Sequence, residues 1–334
     1  MRSLYIAGHT GFIGSALLKH FGGRPGLTLI TATRQELDLT RTEAVEGFLK
    51  RRRPDALILA AGRVGGIGAN IRRPADFLYE NLMIETNLIH GAWKAGVKRL
   101  LHFGSSCMYP KLCPQPMRPE FLMTGPMEPT SESFATAKWA GLNLCASYNR
   151  QHGTRFITAI PATVYGPGDS FDQESAHVLP ALLAKFHEAR ERKRPEVILW
   201  GSGQAKREFL FVEDFAAACE LVLEKYRGEA PINIGSGESV TILELADRIA
   251  AVSGFQGRIR WDSSSPDGTP EKQLDSTPLL QMGWAPRVDL REGLKRTYQW
   301  FLEQYDPSVR AELVEARSIH PSTEPAPDSI GGSG

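Results

Sequence analysis

The sequence predicts an α/β fold: a doubly wound parallel sheet followed by a smaller α+β lobe. Three observations carry that expectation. Short apolar runs alternate with helix-period segments through the first half, a glycine-rich turn follows the first run, and the alternation stops after Tyr165-Gly166-Pro167. Parallel strands covered by helices on both faces read as near-continuous apolar runs.

The runs at 4–7, 27–31, 56–60, 99–103 and 156–160 have that character. Helical patterns at 12–21, 43–51, 74–95 and 134–151 lie between them. Strand and helix in strict alternation imply right-handed crossovers, hence a parallel sheet wound on both faces. Beyond residue 167 come a helix carrying Val178-Leu179-Pro180-Ala181-Leu182-Leu183, a strand at 197–200 and a Gly-Ser-Gly turn at 201–203. A strand at 208–212, a helix at 213–225 and the core strand Ile232-Asn233-Ile234 follow. The expected division is 1–167 for the first domain, with 213–236 returning to it, and 168–212 with 237–305 for the second lobe. Residues 306–334, rich in Pro, Ser and Gly, read as a mobile tail.

A chain of 334 residues can bury a substantial core. Its net charge of +1 gives no reason to expect nucleic acid or a membrane as partner. Arg51-Arg52-Arg53 reads as a solvated helix end, where cations suit the helix dipole. No apolar stretch approaches the ~20 residues that span a bilayer. The early strand leaves no room for a signal peptide. The four cysteines, at 107, 113, 145 and 219, show neither metal-ligand nor secreted-disulfide spacing. A cytoplasmic location is the resulting expectation.

Gly8-His9-Thr10-Gly11-Phe12-Ile13-Gly14 follows the first strand and opens the first helix. Glycines there allow a tight turn and let the backbone approach a pyrophosphate at the helix N-terminus. The expectation is a Rossmann-type nucleotide site. Past the second strand, Arg34 favours the 2′-phosphate of NADP, with Glu36 close enough to compete.

Gly104-Ser105-Ser106-Cys107 follows the fourth strand, at the sheet edge where open α/β folds bind ligands. Phe134 and Lys138 are four apart and share a helix face. Serine with Tyr-x-x-x-Lys at these places is the catalytic set of the short-chain dehydrogenases/reductases. Phe134 stands where that set has its tyrosine.

Over about residues 3–305 the chain resembles the GDP-L-fucose synthase family of extended short-chain reductases. The resemblance rests on Val64-Gly65-Gly66-Ile67, Pro74-Ala75-Asp76-Phe77, Tyr109-Pro110-Lys111, Glu128-Pro129-Thr130, His177-Val178, Trp200-Gly201-Ser202-Gly203, Arg207-Glu208-Phe209-Leu210 and Pro266-Asp267-Gly268-Thr269-Pro270, besides the motifs above. It implies 3,5-epimerisation and then NADPH-dependent 4-reduction of GDP-4-keto-6-deoxy-D-mannose, or of a related GDP-sugar, by a homodimer. It implies Cys107 as base and His177 as acid for epimerisation, with Ser105 and Lys138 serving reduction. Gly8 to Gly14, Arg34, Lys138, Pro161, Thr163, Val164 and His177 are implied at the NADP site, and Lys185, Trp200, Arg207 and Asp267 near the GDP moiety. Arg207 suits a diphosphate, which a guanidinium grips bidentately. Trp200 fits the core of the small lobe equally well, and Lys185 and Asp267 fit ordinary surface charges.

Three positions depart from the family pattern. Thr10 replaces a common arginine, Thr163 a usual asparagine, and Phe134 the tyrosine. A phenyl ring has no proton to give a carbonyl oxygen, so reduction is expected to suffer more than epimerisation. Two rival readings follow: an epimerase-biased enzyme on a related GDP-keto-sugar, and a catalytically silent nucleotide-sugar binder.

Overall fold

The computed structural model describes residues 1–172, 176–264 and 267–305. The expected tail and Pro266 lie outside the described residues. The chain runs β1 (Ser3–Ala7), α1 (Phe12–Phe21), β2 (Thr28–Ile30), α2 (Thr42–Arg52), β3 (Ala56–Leu59), α3 (Ile67–Arg72), α4 (Pro74–Lys94), β4 (Arg99–Phe103), α5 (Glu132–His152), β5 (Arg155–Pro161) and β6 (Thr163–Tyr165). It continues through α6 (Val178–Glu191), β7 (Glu196–Trp200), β8 (Lys206–Phe211), α7 (Val212–Lys225), β9 (Ile232–Ile234), β10 (Ser239–Thr241), α8 (Ile242–Ser253), β11 (Arg258–Asp262), β12 (Glu271–Lys272), α9 (Thr277–Gln281) and α10 (Leu290–Tyr305).

Six strands form one parallel sheet in the order β2-β1-β3-β4-β5-β9. The two-residue period of a strand sends alternate side chains into two different cores. Leu4 and Ile6 of β1 pack with Leu17 and Phe21 of α1 and with Phe215 and Val222 of α7. Tyr5 and Ala7 pack on the opposite face with Val45 and Leu49 of α2 and Leu88 and Ile89 of α4. Apolar side chains on both faces explain why these strands read as uninterrupted runs. Strand order reverses between β1 and β3, which opens a crevice at their carboxyl ends.

A separate core joins Leu179, Leu183 and Phe186 of α6, Phe209 and Phe211 of β8, Leu245 and Ile249 of α8, and Leu294 and Phe301 of α10. Strand β8 is its hub, pairing with β6 and β12 in parallel and with β10 antiparallel. Glu208 of β8, 1% exposed, accepts from the amides of Gly237 at 2.7 Å and Leu274 at 2.8 Å and ties three segments together.

The sequence-based elements are recovered with shifted ends. The strand expected at 208–212 ends at Phe211, because Val212 already opens α7. Helix α5 starts at Glu132, ahead of Phe134, with a 3-10 turn at Pro129–Ser131 leading into it. Arg51, Arg52 and Arg53 are exposed at the end of α2, as expected of a solvated helix terminus. No described helix is long and apolar enough to cross a membrane.

Candidate active site

The turn between β1 and α1 is shaped for close backbone approach. Gly8 has φ +83° and its ideal Cβ would lie 2.6 Å from Ala61 Cα. Gly14 is packed so tightly that a Cβ would collide with the Gly8 carbonyl oxygen. Gly11 caps the first turn of α1, and its Cβ position is nearly open, with only the Gly8 oxygen at 3.4 Å. Thr10 is exposed at the tip, while Phe12 and Ile13 are half-buried at the helix start. His9 Nδ1 is buried without a hydrogen-bond partner in this turn. An orphaned ring nitrogen beside a glycine cradle at a helix N-terminus fits a dinucleotide phosphate. Beyond β2, Arg34 is exposed, with Asp38 within its field. Glu36 is folded back onto Thr33, accepting from its amide at 2.7 Å and its hydroxyl at 2.9 Å. That hydrogen bonding holds the Glu36 carboxyl below the usual range.

At the end of β4 the chain enters a 3-10 turn, Ser106–Met108, whose N-cap is Ser105. Ser105 Oγ accepts from the Cys107 amide at 3.2 Å. Lys272 of β12 reaches the same point: its Nζ donates to Cys107 Sγ at 3.4 Å. Burial raises the Cys107 thiol, but the Lys272 charge and the hydroxyls of Ser105 and Ser131 outweigh it and leave the pKa below its ordinary 9.0. The thiolate is the reactive form, so this is an activated cysteine.

His177 is the N-cap residue of α6 and sits within the field of the same lysine. Burial and then the Lys272 charge lower its pKa from 6.5. Arg207 lies opposite Lys272 in the β8–β12 register. Its NH1 donates to the Lys206 carbonyl at 2.7 Å and NH2 to the Asp267 carbonyl at 3.4 Å. Burial lowers its pKa, and the charges of Cys107, Asp267 and Glu128 oppose the loss. Cys107, Lys272, His177 and Arg207 therefore form one cluster from four segments.

Lys138 belongs to a second cluster. The residue is 5% exposed, and its ammonium donates to Glu85 Oε1 at 2.7 Å. Phe134 offers it a ring face, with Nζ 5.6 Å from the centroid, and packs edge-on against Phe77 at 6.3 Å. The neighbouring hydroxyls of α5 lie elsewhere on the helix surface. Ser133 lines a cavity of about 310 Å³ with Asn70, Ile71, Pro74, Pro129 and Thr130, and Thr136 is exposed.

The remaining expected residues separate. Pro161 ends β5, Thr163 opens β6 and Val164 follows it, all beside the crevice end of the sheet. Lys185 donates to the Ile198 carbonyl at 2.5 Å within the second lobe. Trp200 is 73% exposed at the end of β7, which overturns its reading as a core residue. Asp267 accepts from the Ser202 amide and hydroxyl, both at 2.7 Å, and braces the Gly201-Ser202 turn. The other cysteines are unactivated: burial raises the thiols of Cys113, Cys145 and Cys219. Lys272, Ser131 and Glu85 are site residues that sequence reasoning missed.

Residues 4–235 match the profile of the NAD dependent epimerase/dehydratase family. GDP-L-fucose synthase of Escherichia coli (strain K12) is 48% identical over 312 residues, 91% of this chain and 97% of that protein. GDP-L-fucose synthase 1 of Arabidopsis thaliana is 48% identical over 300 residues, 90% of this chain and 93% of that protein. The crystal structure of a GDP-L-fucose synthetase from Naegleria fowleri bound to NADP superposes with a TM-score of 0.83 at 26% identity, covering 91% of this chain and 95% of that one. The chain belongs to the NAD dependent epimerase/dehydratase family and, within it, to the GDP-L-fucose synthases.

Proposed function

We propose that the protein catalyses 3,5-epimerisation of GDP-4-keto-6-deoxy-D-mannose followed by NADPH-dependent 4-reduction, with the second step the weaker. The single observation that carries this reading is the activated thiol of Cys107, held against Lys272 within a cluster that also contains His177 and Arg207.

A ketone at C4 acidifies the protons at C3 and C5. Cys107, as thiolate, removes such a proton, and His177 returns one from the other side. The lowered pKa of His177 makes its imidazolium a stronger acid and a less populated one. Lys272 thus favours the base directly and sharpens the acid. Negative charge moves to the C4 oxygen in the enolate, where the Ser105 hydroxyl can donate a hydrogen bond. Arg207 suits the diphosphate, and exposed Trp200 suits the face of a base or sugar.

The family takes a nicotinamide nucleotide as cofactor, and NADPH bound here would supply hydride to C4. The Gly8–Gly14 turn and His9 would hold its pyrophosphate, Arg34 the 2′-phosphate, and Lys138 the nicotinamide ribose, beside Pro161, Thr163 and Val164. The Glu36 carboxylate, occupied by Thr33, leaves Arg34 to decide between NADP and NAD. In this arrangement residues 1–167 with 213–236 bind cofactor, and 168–212 with 237–305 bind the GDP-sugar. The family resemblance extends the reading to a cytoplasmic homodimer. Protonation of the C4 oxygen during reduction falls to Ser105 or a water, because Phe134 has no hydroxyl. General acid catalysis is worth ~10²–10⁴-fold, about 3–5 kcal/mol of barrier.

The test is conversion of GDP-4-keto-6-deoxy-D-mannose with excess NADPH, followed by chromatography of the GDP-sugars. Slow formation of GDP-L-fucose with faster accumulation of epimerised keto-sugar supports the reading. An unchanged keto-sugar that nonetheless binds would refute it.

A further inference from the structure

A buried ammonium is costly unless a carboxylate faces it. Lys138 has one in Glu85, which is on α4 and only 1% exposed. The second Glu85 oxygen stands 3.2 Å from His102 Nε2 of β4, without hydrogen-bond geometry. His102 Nδ1 faces the Thr158 hydroxyl at 3.2 Å. Cys145, two turns beyond Lys138 on α5, is a further titratable neighbour, its thiol raised by burial and then by the Glu85 charge. Burial raises Glu85, but the charges of Lys138 and His102 hold its carboxyl below the ordinary value, so it is ionised at neutral pH.

Space for this cluster comes from Gly141 in the middle of α5. A Cβ there would collide with Glu85 Oε2 and lie 2.6 Å from His102 Nε2. Lys138 Nζ also lies 3.8 Å from where a Cβ of exposed Gly62 would stand, a position that Asn81 Oδ1 approaches to 2.9 Å. Gly62 lies just past β3, at the crevice where strand order reverses. The ammonium is thus gripped by Glu85, nearly buried, and close to the Gly62 backbone at the crevice.

We propose that Glu85 is a positioning residue that aims the Lys138 ammonium across Gly62 at the ribose of the nicotinamide nucleotide. The proposal rests on reading that crevice as the nicotinamide site. In a site with a phenol at position 134, the hydroxyl would share the work of orienting the lysine. Here the ring at 134 is purely apolar, and the carboxylate carries that role.

The test measures NADPH affinity of the full chain by fluorescence from about pH 6 to 10, for the parent, E85Q, E85D, K138M, E85Q/K138M and G141A. E85Q is expected to weaken binding about tenfold at neutral pH, with less than about twofold further effect in the K138M background. E85D retains most of the affinity. In cofactor-free protein, reductive methylation of Lys138 read by mass spectrometry is faster in E85Q than in the parent. If E85Q does not fold, G141A carries the test: weaker binding supports the proposal and unchanged binding overturns it. Parental affinity in folded E85Q, or an equal loss with K138M present, overturns the proposal and leaves the site reading intact. A parent that binds no NADPH overturns both.

Discussion

Two clusters, one centred on Cys107 and the other on Lys138, meet different fates in this molecule. Around Cys107, every group that proton abstraction needs is present: a thiol, a cation that favours the thiolate, and an imidazole in the same field. Around Lys138, the cation is present, buried and paired, while the ring beside it has lost its hydroxyl. The comparison teaches that a bifunctional site is modular. With a phenyl ring at 134 the packing of α5 and the Lys138–Glu85 pair are formed, and the proposed function puts the cost on the reaction that consumes a proton at C4.

The largest effects separate the clusters outright. C107A should abolish exchange of the C3 and C5 protons, by ~10²–10⁴-fold, when substrate is followed in deuterated water. F134Y should raise NADPH oxidation by a similar ~10²–10⁴-fold and change that exchange far less. An equal gain in both steps would mean that the C4 oxygen limits epimerisation too.

A smaller effect sharpens the Cys107 side. Lys272 lowers the thiol pKa, so in the parent the thiolate is gained as pH rises through a value below 9.0. In K272M that gain should move to higher pH, leaving less of the thiol ionised at neutral pH. Alkylation of Cys107 by iodoacetamide, followed across pH by mass spectrometry, measures the shift directly. Cys145 and Cys219 are buried with raised thiols and should stay unmodified.

The smallest effect tests the Lys138 side through stability alone. Alanine in place of glycine normally stabilises a helix interior by about 1 kcal/mol. G141A should instead destabilise by about 1–3 kcal/mol, because the added methyl overpacks the gap between Glu85 and His102. Urea denaturation monitored by circular dichroism reads the sign.

The legible parts of the molecule were those coded locally. Gly8 to Gly14, Ser105 to Cys107 and Phe134 with Lys138 each lie on a continuous stretch whose spacing reports its own geometry. The sheet was legible for the same reason, since strands apolar on both faces announce themselves. Lys272 carried no such signal: it is 165 positions from Cys107 and reaches it only because β12 pairs with β8. Glu85 did leave a trace, since Phe77, Asn81, Glu85 and Leu88 recur at helical spacing and all are buried. A carboxylate on an otherwise buried helix stripe asks for a cationic partner, and Lys138 on the next long helix was the available one. Trp200 stayed open in the sequence because an aromatic at a strand end fits a core and a cleft equally well; its exposure removes only the core reading.

The most direct test places substrate, NADPH and the parent protein together in deuterated water and follows both steps in one time course. The account predicts deuterium at C3 and C5 of the recovered keto-sugar well before matching NADPH oxidation, a gap that F134Y closes. NADPH oxidation that keeps pace with deuterium entry in the parent would contradict it.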